Sequence, residues 1–313
     1  MKPMLATDWD EMKQRFPVLA QPKIDGVRGL NMTGRLTGRS LKPFKNKYVT
    51  AQFSHSALLG LDGEFAAQAA THSDLCRLTT SALGTIAGEP YVLWHLFDYV
   101  TIETRSLSYR HRHGLLQERV EYLKRILPEV ATHLRVVPFT ECTTLAEVEE
   151  LDAGWLDDGY EGSILRAPAA PHKQGRSTVT EGWLLRVKRF VDFEFTVTEL
   201  IEGDENQNAA QINELGQTFR TSHQENKVKN GMVGAMRGTL LDDVCDGGKV
   251  LFQRGAEVHV GAGRMTHEQR KGFWEKPETL KALVCKGKLF PKGTKDKPRF
   301  PTWQSFRIAE DMS

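Results

Sequence analysis

The chain has 313 residues, 40% of them hydrophobic, and its 42 Lys and Arg against 40 Asp and Glu leave a net charge of +2. That composition excludes intrinsic disorder as the default and leaves room for two domains with their own cores. No apolar run approaches the roughly 18 to 20 residues that span a membrane, and the opening MKPMLATDWDEMKQRF lacks a signal-peptide core, so a cytoplasmic protein without a membrane partner is expected.

In chain order, QPKIDGVRGL (residues 21–30) places Lys23 in a strand running into an Asp25-Gly26 turn. A lysine there can act as a nucleophile once its amine loses a proton. With a reference pKa of about 10.4, that requires a neighbouring cation or desolvation. Next, Arg35, Arg39, Lys42, Lys45 and Lys47 form a basic stretch with no acid between them. LLGLDGEFAA and YVLWHLFDYV are apolar-rich and bounded by Gly, Glu and Pro, which suits buried strands. GLLQERVEYLKRILPEV repeats Leu115, Leu116, Val120, Leu123, Ile126 and Leu127 at helical spacing until Pro128, and TLAEVEELDAGWL opens with Thr144 and Glu147 at capping-box spacing. YEGSILRAP and WLLRVKRFVDFEFTVTEL return to strand patterning. In the latter, Arg186 and Lys188 alternate on one face and can point at one anion, although a solvated strand face reads the same way. Residues 1–190 therefore read as an α+β domain built around sheets.

Beyond residue 190, short strands alternate with Gly and Asp turns in FEFTVTELI, MVGAMRGTLLD, KVLFQRG and AEVHVGAG. A helix is predicted from Thr266, with Gln269 closing another capping box, before LVCKGKLF and RFPTWQSFRIA resume as strands. Five or so short strands with one helix fit a small β-barrel of the OB type over 191–313. From Lys249 to Ser313 there are 14 Lys and Arg against 7 Asp and Glu, an electrostatic footprint that polyanion binders carry and that a solvated face also shows. Cys76, Cys142, Cys245 and Cys285 are scattered without a C-x-x-C pair and are read as reduced thiols.

The ordered series Lys23-x-Asp25-Gly26-x-Arg28, TGRSLK, LDGEF, LFDY, YEGSIL and WLLRVKRF resembles the covalent nucleotidyltransferase superfamily, most closely the short bacteriophage-type ATP-dependent DNA ligases. The resemblance runs from about Leu19 to the chain's end, where EVHVGAGRMTHEQRKGFW and RFPTWQSFRIAED are similar to that family's second domain. It implies an α+β nucleotidyltransferase (adenylation) domain of antiparallel sheets with helices at 1–190, followed by a small OB-fold β-barrel at 191–313.

The resemblance also implies roles. Lys23 attacks the α-phosphorus of ATP and carries AMP, Gln21 stands where an acidic residue usually meets the adenine amino group, and Phe97 stacks on adenine. Arg28 and Glu64 meet the ribose, while Glu161, with Asp25 beside it, binds a catalytic Mg²⁺ or Mn²⁺. Lys188 contacts the α-phosphate; Arg186 replaces the first lysine of the family's K-x-K pair. Arg39 holds the nick phosphate, with Lys42, Lys45 and Lys47 also expected to face DNA. Arg299 and Arg307 fall in the segment that orients pyrophosphate, although the usual R-x-D-K ending is missing. The GQTFRTSHQENKVKNG region reads either as a hairpin around DNA or as a plain loop. The implied partners are ATP and nicked double-stranded DNA, and the implied state is a monomer. An RNA ligase or mRNA-capping guanylyltransferase shares Lys23-x-Asp25-Gly26, and a non-catalytic nucleic-acid-binding protein is the alternative from another class.

Overall fold

The computed structural model describes residues 1–187, 189–246, 248–291 and 297–307. Lys188, expected at the α-phosphate, lies outside the described residues. The chain divides into two compact units, Met1–Lys188 with Asn213–Gly216, and Arg189–Ile212 with Gln217–Ser313.

Two five-stranded sheets build the first unit. One has the order Thr7–Asp8, Leu184–Arg186, Ser163–Arg166, Val18–Pro22, Thr140–Cys142; the other has the order Leu36–Gly38, Val27–Asn31, Leu61–Ala66, Leu93–Tyr99, Leu134–Val136. Both sheets are antiparallel as expected, apart from one pairing at an edge of each. Thr7–Asp8 runs parallel to Leu184–Arg186, and Leu134–Val136 runs parallel to Leu93–Tyr99. The second of these is reached by a helical crossover, the connection that parallel strands require.

Strand Leu93–Tyr99 shows how sequence alternation becomes function. Trp94, Leu96 and Asp98 are buried on one face, and His95, Phe97 and Tyr99 stand on the other. Trp94 stacks on Phe65 at 5.0 Å between ring centroids, and Phe53 meets Phe65 edge-on at 5.1 Å. Rings of this size each contribute roughly 2–3 kcal/mol by leaving water, so the cluster fixes the strand's register and thereby where Phe97 faces.

Helix Tyr109–Ile126 starts earlier than its apolar repeat suggests, because the Ser108 side chain caps it by accepting from the His111 amide. Leu116, Val120 and Leu123 pack into the second sheet's core, while Tyr109, Arg112 and His113 are buried at the N-terminal end. The Thr144–Glu147 capping box forms as expected and opens helix Leu145–Asp157. Two further helices, Lys47–Phe53 and Leu75–Gly84, lack a strong sequence signature.

The second unit corrects the expectation of a small OB-type barrel of short strands. Its ladder runs Val191–Asn206, Lys227–Leu240, Glu257–Gly261, Arg299–Phe306, Val284–Phe290 and returns to the first strand. However, the first two strands are 16 and 14 residues long and pair well beyond that ring. Register shifts along their ladder allow such long strands to bend. The join between Glu257–Gly261 and Arg299–Phe306 rests on a single parallel pair, Gly261 with Thr302. Two separate hairpins, Ala210–Ile212 with Thr218–Arg220 and Val244–Asp246 with Lys249–Phe252, complete this unit's strands among the described residues. The capping box at Thr266 and Gln269 opens helix His267–Glu275, and a second helix, Pro277–Lys281, follows it.

Candidate active site

Lys23 sits where the chain leaves one sheet for the other. Strand Val18–Pro22 ends just before it, and Val27–Asn31 of the second sheet begins four residues later. The crossing is short because Gly26 has no side chain. A Cβ there would lie 2.1 Å from the Phe65 carbonyl oxygen. The Lys23 amide donates to the Gly162 carbonyl at 2.8 Å, and the Glu161 amide donates to the Lys23 carbonyl at 3.0 Å. The nucleophile candidate is therefore held by its backbone, and its Nζ forms an ion pair with Glu161. Beneath this junction the Ser163 hydroxyl donates to Asp152 of helix Leu145–Asp157 at 2.5 Å.

A cavity of about 200 Å³ opens beside Lys23, lined from both sheets. Of the residues singled out from sequence, it brings together Gln21, Lys23, Arg28, Arg39, Glu64, Phe97 and Arg186. Asp25 is buried next to Lys23, and Glu161 reaches the site through its ion pair. Lys42, Lys45 and Lys47 are exposed on the loop and helix beyond Arg39. That loop is pinned by buried Asn46, whose oxygen accepts from the Val49 amide at 2.8 Å and whose Nδ2 donates to the Thr85 carbonyl at 3.0 Å. Arg299 and Arg307 belong to the second unit, where Arg307 pairs with Glu194 at 2.7 Å.

Several side chains have partners within the protein. Arg28 and Glu64 face each other across adjacent strands, yet the Arg28 guanidinium donates twice to Asp62, at 2.8 and 2.6 Å, and lies 4.9 Å from the centre of the Phe97 ring. Gln21 donates to the Val137 carbonyl at 2.9 Å, and its oxygen lies 2.8 Å from the Tyr109 hydroxyl. Arg186 donates from Nε to Asp8 at 2.6 Å. Below Phe97, Asp98 receives Arg112 at 2.8 and 3.1 Å and Arg166 at 3.0 Å. Burial alone would raise the pKa of Asp98, but the two guanidinium groups outweigh it and hold the carboxyl down at about 2.

Sequence reasoning passed over Asp62, Asp98, Tyr109, Arg112, Arg166 and Arg176. Asp62 and Asp98 carried a signal, being acids inside apolar strand runs that need a buried cation. Arg176, whose Nη1 donates to the Ala6 carbonyl, lines the cavity without such a signal.

Glu64 has the opposite electrostatics to Asp98. Burial pushes its carboxyl up to about 7, and nearby Arg28 and Lys23 only partly oppose that. A folded-state pKa raised above the ordinary 4.5 means that the native protein binds the extra proton. Its contribution to stability is complete below about 4.5 and is lost as the pH rises through about 7. Urea titrations at pH 5 and pH 8 should show wild type losing up to roughly 2 kcal/mol through this group, after discounting for solvent screening, while Glu64→Gln loses none of it. Equal pH dependence in the two proteins would refute the assignment.

Residues 3–185 match the family described as "ATP dependent DNA ligase domain". The Chlorella virus DNA ligase-adenylate crystal structures are 26% and 27% identical, with TM-scores of 0.52 and 0.53. The alignments cover 98% and 99% of this chain and 99% of each of theirs. The bacteriophage T7 ATP-dependent DNA ligase in complex with ATP is 15% identical over 98% of each chain, with a TM-score of 0.51, a likeness of fold. No curated protein matches the chain.

Proposed function

The chain belongs to the ATP-dependent DNA ligase domain family and joins DNA by an adenylation mechanism, and from that premise we infer that Lys23 is the residue that carries AMP. The observation that supports this reading is Lys23 fixed at a cavity wall with Glu161 on its amine and Phe97, Arg28 and Glu64 around the same space. In the first step the Lys23 Nζ bonds to the α-phosphorus, the bond from that phosphorus to the bridging oxygen breaks, and pyrophosphate leaves while the amine loses a proton. A 5′-phosphate oxygen at a nick then takes the adenylyl group, freeing Lys23. The adjacent 3′-hydroxyl attacks the 5′-phosphorus, closing the phosphodiester and releasing AMP.

The protein's part is chiefly positioning and charge neutralisation. Phe97 offers a stacking face for adenine; Gln21 closes the slot's inner end, and Arg28 and Glu64 serve the ribose. Arg186 and Lys188 oppose charge on the α-phosphate, and Arg299 and Arg307 serve the departing pyrophosphate. Asp25 and Glu161 fit a divalent cation of the magnesium or manganese kind. They are hard oxygen donors, the ligand type such ions take. When bound, that ion neutralises phosphate charge.

Nicked duplex DNA is the proposed polynucleotide, sealed by a cytoplasmic monomer whose adenylation domain spans about 1–190 and whose second domain spans about 191–313. No helix among the described residues is long and apolar enough to cross a membrane. Arg39, Lys42, Lys45 and Lys47 supply exposed cations in the first unit. In the second, Lys286 and Lys288 share a groove with Phe190, Gln304 and Ser305, and the Lys288 amine lies 4.2 Å from the Phe190 ring centre. Phosphate contacts release counterions, so nick affinity measured by fluorescence anisotropy should fall about tenfold or more between 50 and 200 mM salt. A flat salt response would remove the phosphate-dominated picture. The defining assay is sealing of a 5′-phosphorylated nick with ATP and Mg²⁺; protein labelling by GTP in preference to ATP would favour a capping enzyme instead.

A further inference from the structure

We propose that Arg166 is a specificity residue of the cavity that donates a hydrogen bond to a ring nitrogen of the purine base, an inference that rests on the cavity being the ATP site. Two arginines share Asp98, and they are treated differently. Arg112 is fully buried and satisfied: Nε and Nη2 donate to Asp98, and Nη1 donates to the Leu107 and Ala170 carbonyls at 2.5 and 3.0 Å. Arg166 is 3% exposed, lines the cavity, and among the described residues finds an acceptor only for Nη1. Its Nε is buried without a partner.

A guanidinium has five N–H donors, and leaving them desolvated and unpaired is costly, so native proteins rarely do it without a use. Arg166 Nε is sealed inside, so the group left to meet a ligand is Nη2, which donates to no acceptor among the described residues and belongs to the one arginine of the pair that borders the cavity. The guanidinium plane is also fixed. The Arg166 Cζ lies 4.3 Å from the Tyr109 ring centre and 5.3 Å from that of Phe97, and Asp98 holds one end. A preorganised donor beside a stacking ring calls for a flat heterocycle with an acceptor on its edge. A purine has such acceptors at N1, N3 and N7. Pairing one of them would satisfy the guanidinium as the base seats, so part of the binding energy would come from relieving an unmet donor.

Adenylation kinetics with labelled ATP and with its 1-deaza, 3-deaza and 7-deaza analogues test this on the intact wild-type chain. One analogue, lacking the contacted nitrogen, should raise KM about tenfold with kcat nearly unchanged, because a hydrogen bond from a charged donor is lost in ground and transition state alike. Arg166→Lys keeps a positive charge beside Asp98. It should raise KM for ATP by a similar factor and show no further penalty with that same analogue. Equal KM for all four nucleotides, or penalties that multiply in Arg166→Lys, would overturn the assignment while leaving the ATP site in place. Absence of any adduct with ATP itself would instead remove the site and this inference with it.

Discussion

Lys23→Ala should form no labelled adduct with α-labelled ATP, and Lys23→Arg should fail equally. The pair of variants separates chemistry from architecture. Arginine keeps a cation on Glu161, which holds Nζ in the native chain, but a guanidinium stays protonated and cannot supply the attacking lone pair. Loss of the adduct with unchanged thermal stability in Lys23→Arg would place the defect at the nucleophile. Both variants should still seal a nick that already carries a 5′-adenylate, since the last step transfers nothing to Lys23. The loss of adduct should be complete to background, because a nucleophile that forms the covalent intermediate has no partial substitute. An adduct forming at wild-type rate on another lysine would sink the assignment.

Asp98→Ala should be the most damaging single change to stability, at about 3–5 kcal/mol, because it strands two buried guanidinium groups without their counter-ion. Arg112 is fully buried and cannot recover water without opening the structure, and Arg166 can do so only along its edge on the cavity. Chemical denaturation provides the measurement, and a cost below about 1 kcal/mol would show that the network is not structural. The pH dependence has a definite sign. With its folded pKa depressed from 3.8 to about 2, Asp98 contributes stability that is present above about 4 and lost as the pH falls through about 2. That loss amounts to about 2 kcal/mol and should vanish in the variant. It runs opposite to the Glu64 effect, and the two occupy separate pH windows.

The residues that line the cavity were legible mostly where they sit in compact sequence motifs. Lys23, Asp25 and Gly26 fall in one short crossing between sheets whose tightness requires Gly26, and Glu64 and Phe97 each sit in a compact strand motif, with Glu161 just before a third. The network beneath them was not legible. Asp98, Arg112 and Arg166 come from a strand, a helix and a strand of different sheets, 14 and 68 residues apart, and nothing local distinguishes a buried arginine from an exposed one. Gln21 lines the cavity, but its ties to Val137 and Tyr109 depend on partners 116 and 88 residues away. In the second unit, strand patterning located the elements. It underestimated the two longest strands, since Gly203 and Gly231 read as turns, whereas the two strands continue past them through register shifts in their ladder.

The backbone hydrogen bonds that tie Lys23 to Glu161 and Gly162 also have a kinetic meaning. They fix the main chain from which the Lys23 side chain extends, so on the proposed reading each reaction partner comes in turn to within reach of that one side chain.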